Sequence, residues 1–396
     1  PDNEQTIHID NVPVTVNLSE YAKTYNLKVY GQSVTAATVT VRGSALVLAG
    51  ISSNDVTVNV QNVDSVTQAG QYTLPLYATR QRASLRTNYE VDSTTSPASV
   101  TFMVDKELEK TFTVEDGTTY KVADNYYASS ANFRWPDSEE NLTEITLVGP
   151  ESEMNQVSKV RVVYDFGGPL TETQTATTRL VLYDENDQEV TSKYITRSDT
   201  GELVSELQVS VNLVVLPRKE LPLAVEFENK PSGFTISERV TIEPNTLLVA
   251  GTQEQLSALD RIELDPIDFA TLNQDTTTVT VPINLQGLEN LSNYREAVIH
   301  IDMSGMASKT VEVPVANVLT FANLTSDKEA SCLTATLPVT IVGPEDQIEG
   351  ITEANIQAMV DLSGREILTG HAEMPVNLSV TGNANFWIFG TDYKVN

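Results

Sequence analysis

Short runs of alternating or near-continuous apolar residues recur along the whole chain, and four of them end on a glycine with the same sequel. The runs are Thr38–Val41, Ile145–Val148, Leu247–Ala250 and Val339–Val342, followed by Gly43, Gly149, Gly251 and Gly343. Each is short and rich in β-branched or aliphatic residues, which suits a half-buried pleated strand. Five residues past each glycine stands a large apolar residue: Leu48, Met154, Leu256 and Ile348. Eight residues past stands another: Ile51, Val157, Leu259 and Ile351. Apolar positions three apart fit one face of a single helical turn, too short to persist unless packed. Proline after Gly149 and Gly343, with acids behind it, favours a first helical turn there. The glycine itself implies positive φ or a close backbone approach.

The pattern continues past each turn. Second strands are expected at Val56–Val60, Val160–Tyr164, Ile262–Leu264 and Ile356–Val360. Turns follow at Asp165-Phe166-Gly167-Gly168 and Asp361-Leu362-Ser363-Gly364. A third strand carries a proline at Pro75, Pro282 and Pro375, and in the second copy Arg179–Leu182 has none. Proline donates nothing to a ladder, so these positions are expected at edges or bulges, where a partner strand could also add. Last strands are expected at Val100–Val104, Val209–Leu213, Val298–Asp302 and Phe386–Phe389. The glycines lie 106, 102 and 92 positions apart. The chain therefore reads as four divergent copies, 1–105, 106–216, 217–315 and 316–396, with polar insertions at 118–142 and 184–206. The expected class is mainly β with one short helix per repeat, four tandem modules forming an elongated, semi-rigid rod.

Composition narrows the partners. Apolar residues make up 40% of the chain, normal for a folded protein. The formal net charge is −29. Phosphate recognition needs a basic field, so nucleic acid is excluded as an expected partner, and a direct hold on anionic lipid is not expected either. No run of 18 apolar residues occurs, and no signal peptide is visible. The chain opens on Pro1-Asp2-Asn3-Glu4, an unusual native start. A leader or anchor helix upstream is the expectation. Cys332 is the single cysteine, expected as a buried inert thiol on a strand. So little cysteine suits the cytoplasm and a Gram-positive-type exterior alike.

The search for chemistry yields no catalytic, cofactor-binding or metal-binding residues to assign. His8, His300 and His371 fall in three different copies at unrelated positions, unlike a zinc site. There is no nucleophile elbow, phosphate loop or metalloprotease helix. Asp184-Glu185-Asn186-Asp187-Gln188-Glu189 could point carboxylates at a calcium ion, but it lacks the central glycine and closing glutamate and reads as an acidic hairpin tip. Glu139-Glu140 could suggest glycoside hydrolysis, yet among 54 acids such pairs arise by chance. Trp135 is expected partly exposed and Trp387 in the core. Asn-x-Ser/Thr triplets at Asn17, Asn141, Asn290, Asn323 and Asn377 are read as by-products of a Thr/Asn-rich β chain.

Taken in order, the apolar strand, the glycine with its two apolar followers, the Val-Asp-Leu-Ser-Gly turn and the proline-bearing strand resemble the YbbR repeat. The fourth copy is clearest, from Val339–Ile348 through Ala358–Gly364 to Met374–Leu378, and the second departs most. The resemblance implies a β-rich fold, an N-terminal membrane helix with an extracytoplasmic repeat region, and no catalytic residues. It also implies regulation, by contact, of the membrane-bound diadenylate cyclase that makes cyclic di-AMP, with cell-wall or envelope components as further partners. The alternative reading is a cell-surface adhesin or wall-spanning stalk.

Overall fold

The computed structural model describes residues 3–365, 369–382 and 385–396; the opening Pro1-Asp2 lies outside them. The chain is mainly β, with helices of no more than five residues among the described elements. It divides into two compact units, residues 1–123 with 128–215, and residues 124–127 with 216–396.

In the first unit β1 (Glu4–Pro13), α1 (Glu20–Thr24), β2 (Leu27–Tyr30) and β3 (Ala36–Ser44) lead into α2 (Ala45–Leu48). There follow β4 (Val56–Val60), β5 (Gly70–Arg80), β6 (Tyr89–Ser96) and the 18-residue β7 (Ser99–Asp116). The same unit continues with β8 (Glu144–Pro150), α3 (Glu151–Met154), β9 (Lys159–Val162), β10 (Leu180–Tyr183) and β11 (Thr196–Arg197). The second unit holds β12 (Val215–Ala224, from Leu216 on), β13 (Thr246–Ala250), α4 (Gln253–Ser257) and β14 (Glu289–Asn290). It ends with β15 (Met306–Val313), β16 (Leu337–Pro344), β17 (Ile356–Asp361) and β18 (Trp387–Phe389).

One arrangement occurs four times. The strand that ends on the repeated glycine lies between an earlier and a later strand and pairs antiparallel with both. The orders are β1-β3-β6, β7-β8-β11, β12-β13-β14 and β15-β16-β18. The helical turn after the glycine buries Leu48, Met154, Leu256 and Ile348 against the core. Burying such a side chain fully is worth about 1.5–3 kcal/mol, which holds a turn that would not survive alone. In the fourth copy the turn is a 3₁₀ segment, Ile348–Gly350.

The role of the glycine is close approach, since none of the four has positive φ. A Cβ on Gly149 would lie 2.8 Å from Ile195 Cγ1, and one on Gly251 2.5 Å from Leu288 Cδ2. On Gly343 it would collide with the Phe386 ring. Ile195, Leu288 and Phe386 each immediately precede the later strand. At Gly43 the fit is looser, with the Asn88 carbonyl 3.3 Å away and Tyr89 beside it.

The last strands all form: Val100–Val104 opens β7, Val209–Leu213 is a strand with the expected bounds, Glu296–Ile301 covers all but the end of Val298–Asp302, and β18 lies within Phe386–Phe389. Of these only β18 is the later neighbour of its glycine strand; in the other copies that place is taken by β6, Thr196–Arg197 and Glu289–Asn290, which the alternation did not single out. Two of these strands are two residues long, too short to leave a periodic signature.

The prolines mark exchanges of partner. Residues Gly70–Pro75 of β5 pair with β7, and Leu76–Arg80 pair with β4. In β12, Arg218–Pro222 pair with β13, and Leu223–Ala224 run parallel to Ile262–Glu263. Met374–Pro375 pair with Lys394–Val395, and Asn377–Val380 pair with β17. A residue without an N–H suits the position where one ladder stops and another begins. Pro282 instead closes its strand, Thr278–Pro282.

Cores form around Val39, Val41, Val100 and Phe102; around Leu247, Val249, Phe269 and Ile299; and around Val313, Val339, Ile341 and Val360. Cys332 is not on a strand: it sits half-buried in an irregular segment with Sγ 3.3 Å from the Thr334 carbonyl oxygen. No described helix is long and apolar enough to cross a membrane.

Candidate functional site

The most developed buried polar cluster lies where β7 passes from one part of the first unit to the next. Val100, Phe102 and Val104 point into the first core in strict alternation. The alternation then breaks, because Asp105 is buried as well, at 8% exposure. Its carboxylate accepts from Ser152 N at 3.0 Å and Ser152 Oγ at 2.7 Å, and from Lys106 N at 2.8 Å. Ser152 belongs to α3, so one acid ties the glycine-helix turn to the strand. Alongside, Asn26 Nδ2 donates to the Glu107 carbonyl at 2.6 Å, and Glu107 N donates to the Asn26 carbonyl.

Two tyrosines complete the cluster. The rings of Tyr30 and Tyr194 lie 5.7 Å apart, tilted, and Gly31 gives Tyr194 Oη the room it takes. Ser192 Oγ donates to Glu153 Oε2 at 2.5 Å and accepts from Tyr194 N and Ile195 N. Tyr30 Oη is buried and has no hydrogen-bond partner among the described residues. Burial pushes the Tyr30 phenol up to about 12, and the charges of Glu107, Asp105 and Glu153 push the same way. The phenol thus stays protonated, a donor and not a base. An open cleft of about 530 Å³ adjoins Asp105, Ser152 and Tyr194. The hydroxyls of Ser152 and Ser192 are each committed to a carboxylate, of Asp105 and of Glu153. The cluster's chemistry is that of a joint, with oriented hydrogen bonds across a seam.

The residues singled out from sequence are dispersed. His8 Nδ1 lies 3.0 Å from Thr40 Oγ1 across the β1–β3 ladder. His300 Nε2 lies 3.2 Å from Glu243 Oε2, and His371 lines a separate hollow beside Cys332. Among the described residues no group of three or more His, Cys, Asp or Glu could hold a metal ion. Asp184–Glu189 forms the turn between β10 and Glu189–Val190. There Asp184 Oδ1 accepts from Asn186 N and Gln188 N. Lys159 Nζ, 2.7 Å from Asp187 Oδ1, and then Arg161 hold that carboxyl below its usual range. Glu139 pairs with Arg134 at 3.3 Å. Trp135 carries the Arg197 guanidinium 4.0 Å above its ring, and Asp199 grips that guanidinium at 2.6 Å.

Trp387 is buried, as expected, but in an unexpected place. Its strand, β18, pairs with β16, while its ring packs with the core built on β13. It meets Phe269 at 5.1 Å and Phe234 at 5.3 Å, both edge-on, and its Nε1 donates to the Leu272 carbonyl at 2.9 Å. Gly390 N donates to the Ala270 carbonyl at 2.7 Å. Composition reasoning gave "core" for this residue and had no means of saying which core.

Sequence reasoning also passed over Asp105, which stands at an outward position of the alternation where a polar residue is expected; only its burial is unusual. It passed over Asp302-Met303-Ser304-Gly305 too, a second copy of the Asp361-Leu362-Ser363-Gly364 turn. In both, the aspartate Oδ1 accepts from the serine N–H two residues on, and the glycine has φ near +80°, at 81° and 83°. Those serine bonds hold both aspartates below the ordinary carboxylate range; for Asp361 the serine hydroxyl and Asn323 contribute first.

Comparison with known proteins places these features in a family context. Residues 221–291, which contain Gly251 and its helical turn, match the family model described as YbbR-like protein. The chain is 22% identical over 296 residues to the CdaA regulatory protein CdaR of Bacillus subtilis (strain 168). That match covers 71% of this chain and 56% of the relative, so the chain spans little more than half the length of the curated protein it matches. Among solved structures, a YbbR-like protein from Streptococcus pneumoniae TIGR4 is 14% identical with a TM-score of 0.31, covering 55% of this chain and 98% of that one. The solution structure of SuR18C from Streptococcus thermophilus is 21% identical with a TM-score of 0.18, covering 28% and 86%.

Proposed function

We propose that this chain is the extracytoplasmic part of a non-enzymatic, membrane-anchored regulator that acts on a membrane diadenylate cyclase by protein contact. The carrying observation is the 296-residue similarity to a protein named as the regulator of CdaA. The YbbR-like match at 221–291 and a mainly β architecture support the same reading. The reading divides the chain into four repeats, 1–105, 106–216, 217–315 and 316–396, each built on one of the four glycine strands. Regulation by contact requires a partner that binds two activity states of the enzyme unequally. The two buried seams, at Asp105 and at Trp387, supply fixed geometry of the kind such a partner needs.

The test is to measure cyclic di-AMP in cells that make the cyclase alone and with the full-length protein. A reproducible change in output at matched cyclase levels is expected. Unchanged output would reject regulation. In the same assay, a cyclase catalytic mutant with the protein present should yield no product; product formation would reveal a synthetic activity in the protein itself.

A further inference from the structure

The socket that receives Trp387 in the third copy has a counterpart in the fourth. In the third copy Phe227–Glu228 runs parallel to Ile267–Asp268, and Asp268 Oδ1 accepts from Asn229 Nδ2 at 3.0 Å and from Ala270 N at 2.9 Å. In the fourth, Phe321 and Ala322 run parallel to Val360 and Asp361, and Asp361 Oδ1 accepts from Asn323 Nδ2 at 2.7 Å and from Ser363 N at 2.9 Å. Asn229 and Asn323 both adopt the left-handed conformation, at φ 57° and 58°. Two backbone bonds coincide as well. Phe234 N donates to the Pro231 carbonyl as Lys328 N does to that of Thr325, and Leu272 N donates to the Phe269 carbonyl as Arg365 N does to that of Leu362. Position for position, Phe227, Phe234, Phe269 and Leu272 therefore answer to Phe321, Lys328, Leu362 and Arg365. The first four build the socket: Phe227 packs on Phe269, Phe234 and Phe269 touch the Trp387 ring, and Leu272 supplies the carbonyl for its Nε1. The second four all line one hollow of about 460 Å³, together with the exposed Leu324 and Leu333. Phe269 is fully buried beneath its indole, whereas Leu362, in the same position, stays half-buried.

We propose that this hollow is a docking site for a protein partner that presents an aromatic side chain from a short extended segment, as β18 does to the third copy. At both junctions between copies inside a unit, an aromatic residue on or beside the later strand packs on the preceding copy: Tyr194 on Tyr30, and Trp387 on Phe234 and Phe269. The fourth copy keeps the backbone of the socket, and no described aromatic side chain of a later strand is seated in it. The exchanges at its rim select the visitor. Lys328 and Arg365 stand in place of Phe234 and Leu272, and a cation attracts the face of an aromatic ring, which an aliphatic side chain lacks. Asp327 and Glu329 line the same hollow and offset the two cations, so an anionic segment is not favoured. Leu324 and Leu333 are 40% and 63% exposed, and a ring seated beside them would take that surface out of water. A second copy of this chain is not the expected occupant, because its own Trp387 is already buried. The contact is read on the chain alone, so it stands or falls apart from cyclase regulation.

Cys332, the single cysteine, also lines the hollow and reports its occupancy. The experiment follows the rate at which iodoacetamide modifies Cys332 in the 396-residue chain as a peptide copying residues 385–392 is added. Saturable slowing is expected. A peptide carrying Trp387→Ser should bind about tenfold or more weakly, the worth of one buried large side chain. A peptide carrying Trp387→Leu should also bind more weakly, which separates an aromatic preference from an apolar one. In the protein, Leu333→Asp should weaken binding by about fivefold or more and Arg365→Glu by about threefold. Both positions are exposed, so the melting temperature should not change. Leu85→Asp, on an exposed loop of the first unit, should leave binding unaltered. A thiol that the parent peptide does not protect would overturn the proposal. So would equal protection by the Trp387→Ser peptide, or protection that survives both Leu333→Asp and Arg365→Glu. Protection by N-acetyltryptophanamide as strong as the peptide's would reassign the hollow to a small aromatic ligand, and protection that rises with protein concentration alone would reassign it to a second copy; either result overturns the proposal.

Discussion

The seam in the first unit and the seam in the second join neighbouring cores by different physics. In the first, the backbone makes the join: β7 runs unbroken for 18 residues, packing Val100, Phe102 and Val104 on one side and pairing with β8 and β9 further on. Side chains then fix the angle through Asp105 and Ser152. In the second, side chains make more of the join: Trp387 is held in one sheet by its backbone and in another core by its ring, with Val342, Met306 and Phe389 packed on that core beside it and Gly390 N bonded to the Ala270 carbonyl. A hydrogen-bonded joint contributes little net energy but penalises any arrangement that leaves its groups unpaired. A buried indole contributes a great deal of energy with looser angular demands. The first seam is therefore built for orientation and the second for cohesion.

The largest effect should come from breaking the cohesive seam. Trp387→Ala is expected to cost about 3–5 kcal/mol in the second unit. Each unit holds one tryptophan, so denaturant unfolding followed by far-UV circular dichroism should shift while the Trp135 fluorescence transition stays in place. A loss below about 1 kcal/mol would show that the ring is not the tie. A smaller effect is expected at the oriented seam. Asp105→Ala strands the Ser152 hydroxyl and N–H and should cost about 1–3 kcal/mol. That loss should appear in the Trp135 transition, with the second unit unmoved.

The smallest effect is expected at Tyr30, with the opposite sign. Its hydroxyl is buried without a partner among the described residues, so Tyr30→Phe should be neutral or stabilising by about 1 kcal/mol. The pH dependence gives a second handle. The folded phenol is raised from 10.0 to about 12, so its contribution is fully present below pH 10 and is lost as pH climbs towards 12. In Tyr30→Phe that alkaline loss should be reduced, as measured by urea midpoints across the range.

Much of the fold was legible because it is written in side chains that repeat. The glycine, the buried residue five places on and the short helical turn could be read directly, since Leu48, Met154, Leu256 and Ile348 all obey one spacing. The seams were not legible, because each depends on a residue meeting something far away in sequence. Trp387 lies 115 positions from the carbonyl it binds. Asp105 reads as an ordinary outward polar residue, and Ser152, which it binds, lies 47 positions on.

The glycine seats have a consequence for how such a chain can change over time. Opposite three of them stand Ile195, Leu288 and Phe386, side chains of differing bulk received by one type of vacancy, while Gly43 faces the Asn88 carbonyl more loosely. The occupant is free to drift in size and shape, because the space belongs to the missing Cβ and not to a tailored pocket. At those three seats the glycine is not free in the same way, since a side chain there would displace the occupant. Within a single polypeptide, then, the sequence around the notch can wander far from its siblings while the notch itself stays fixed.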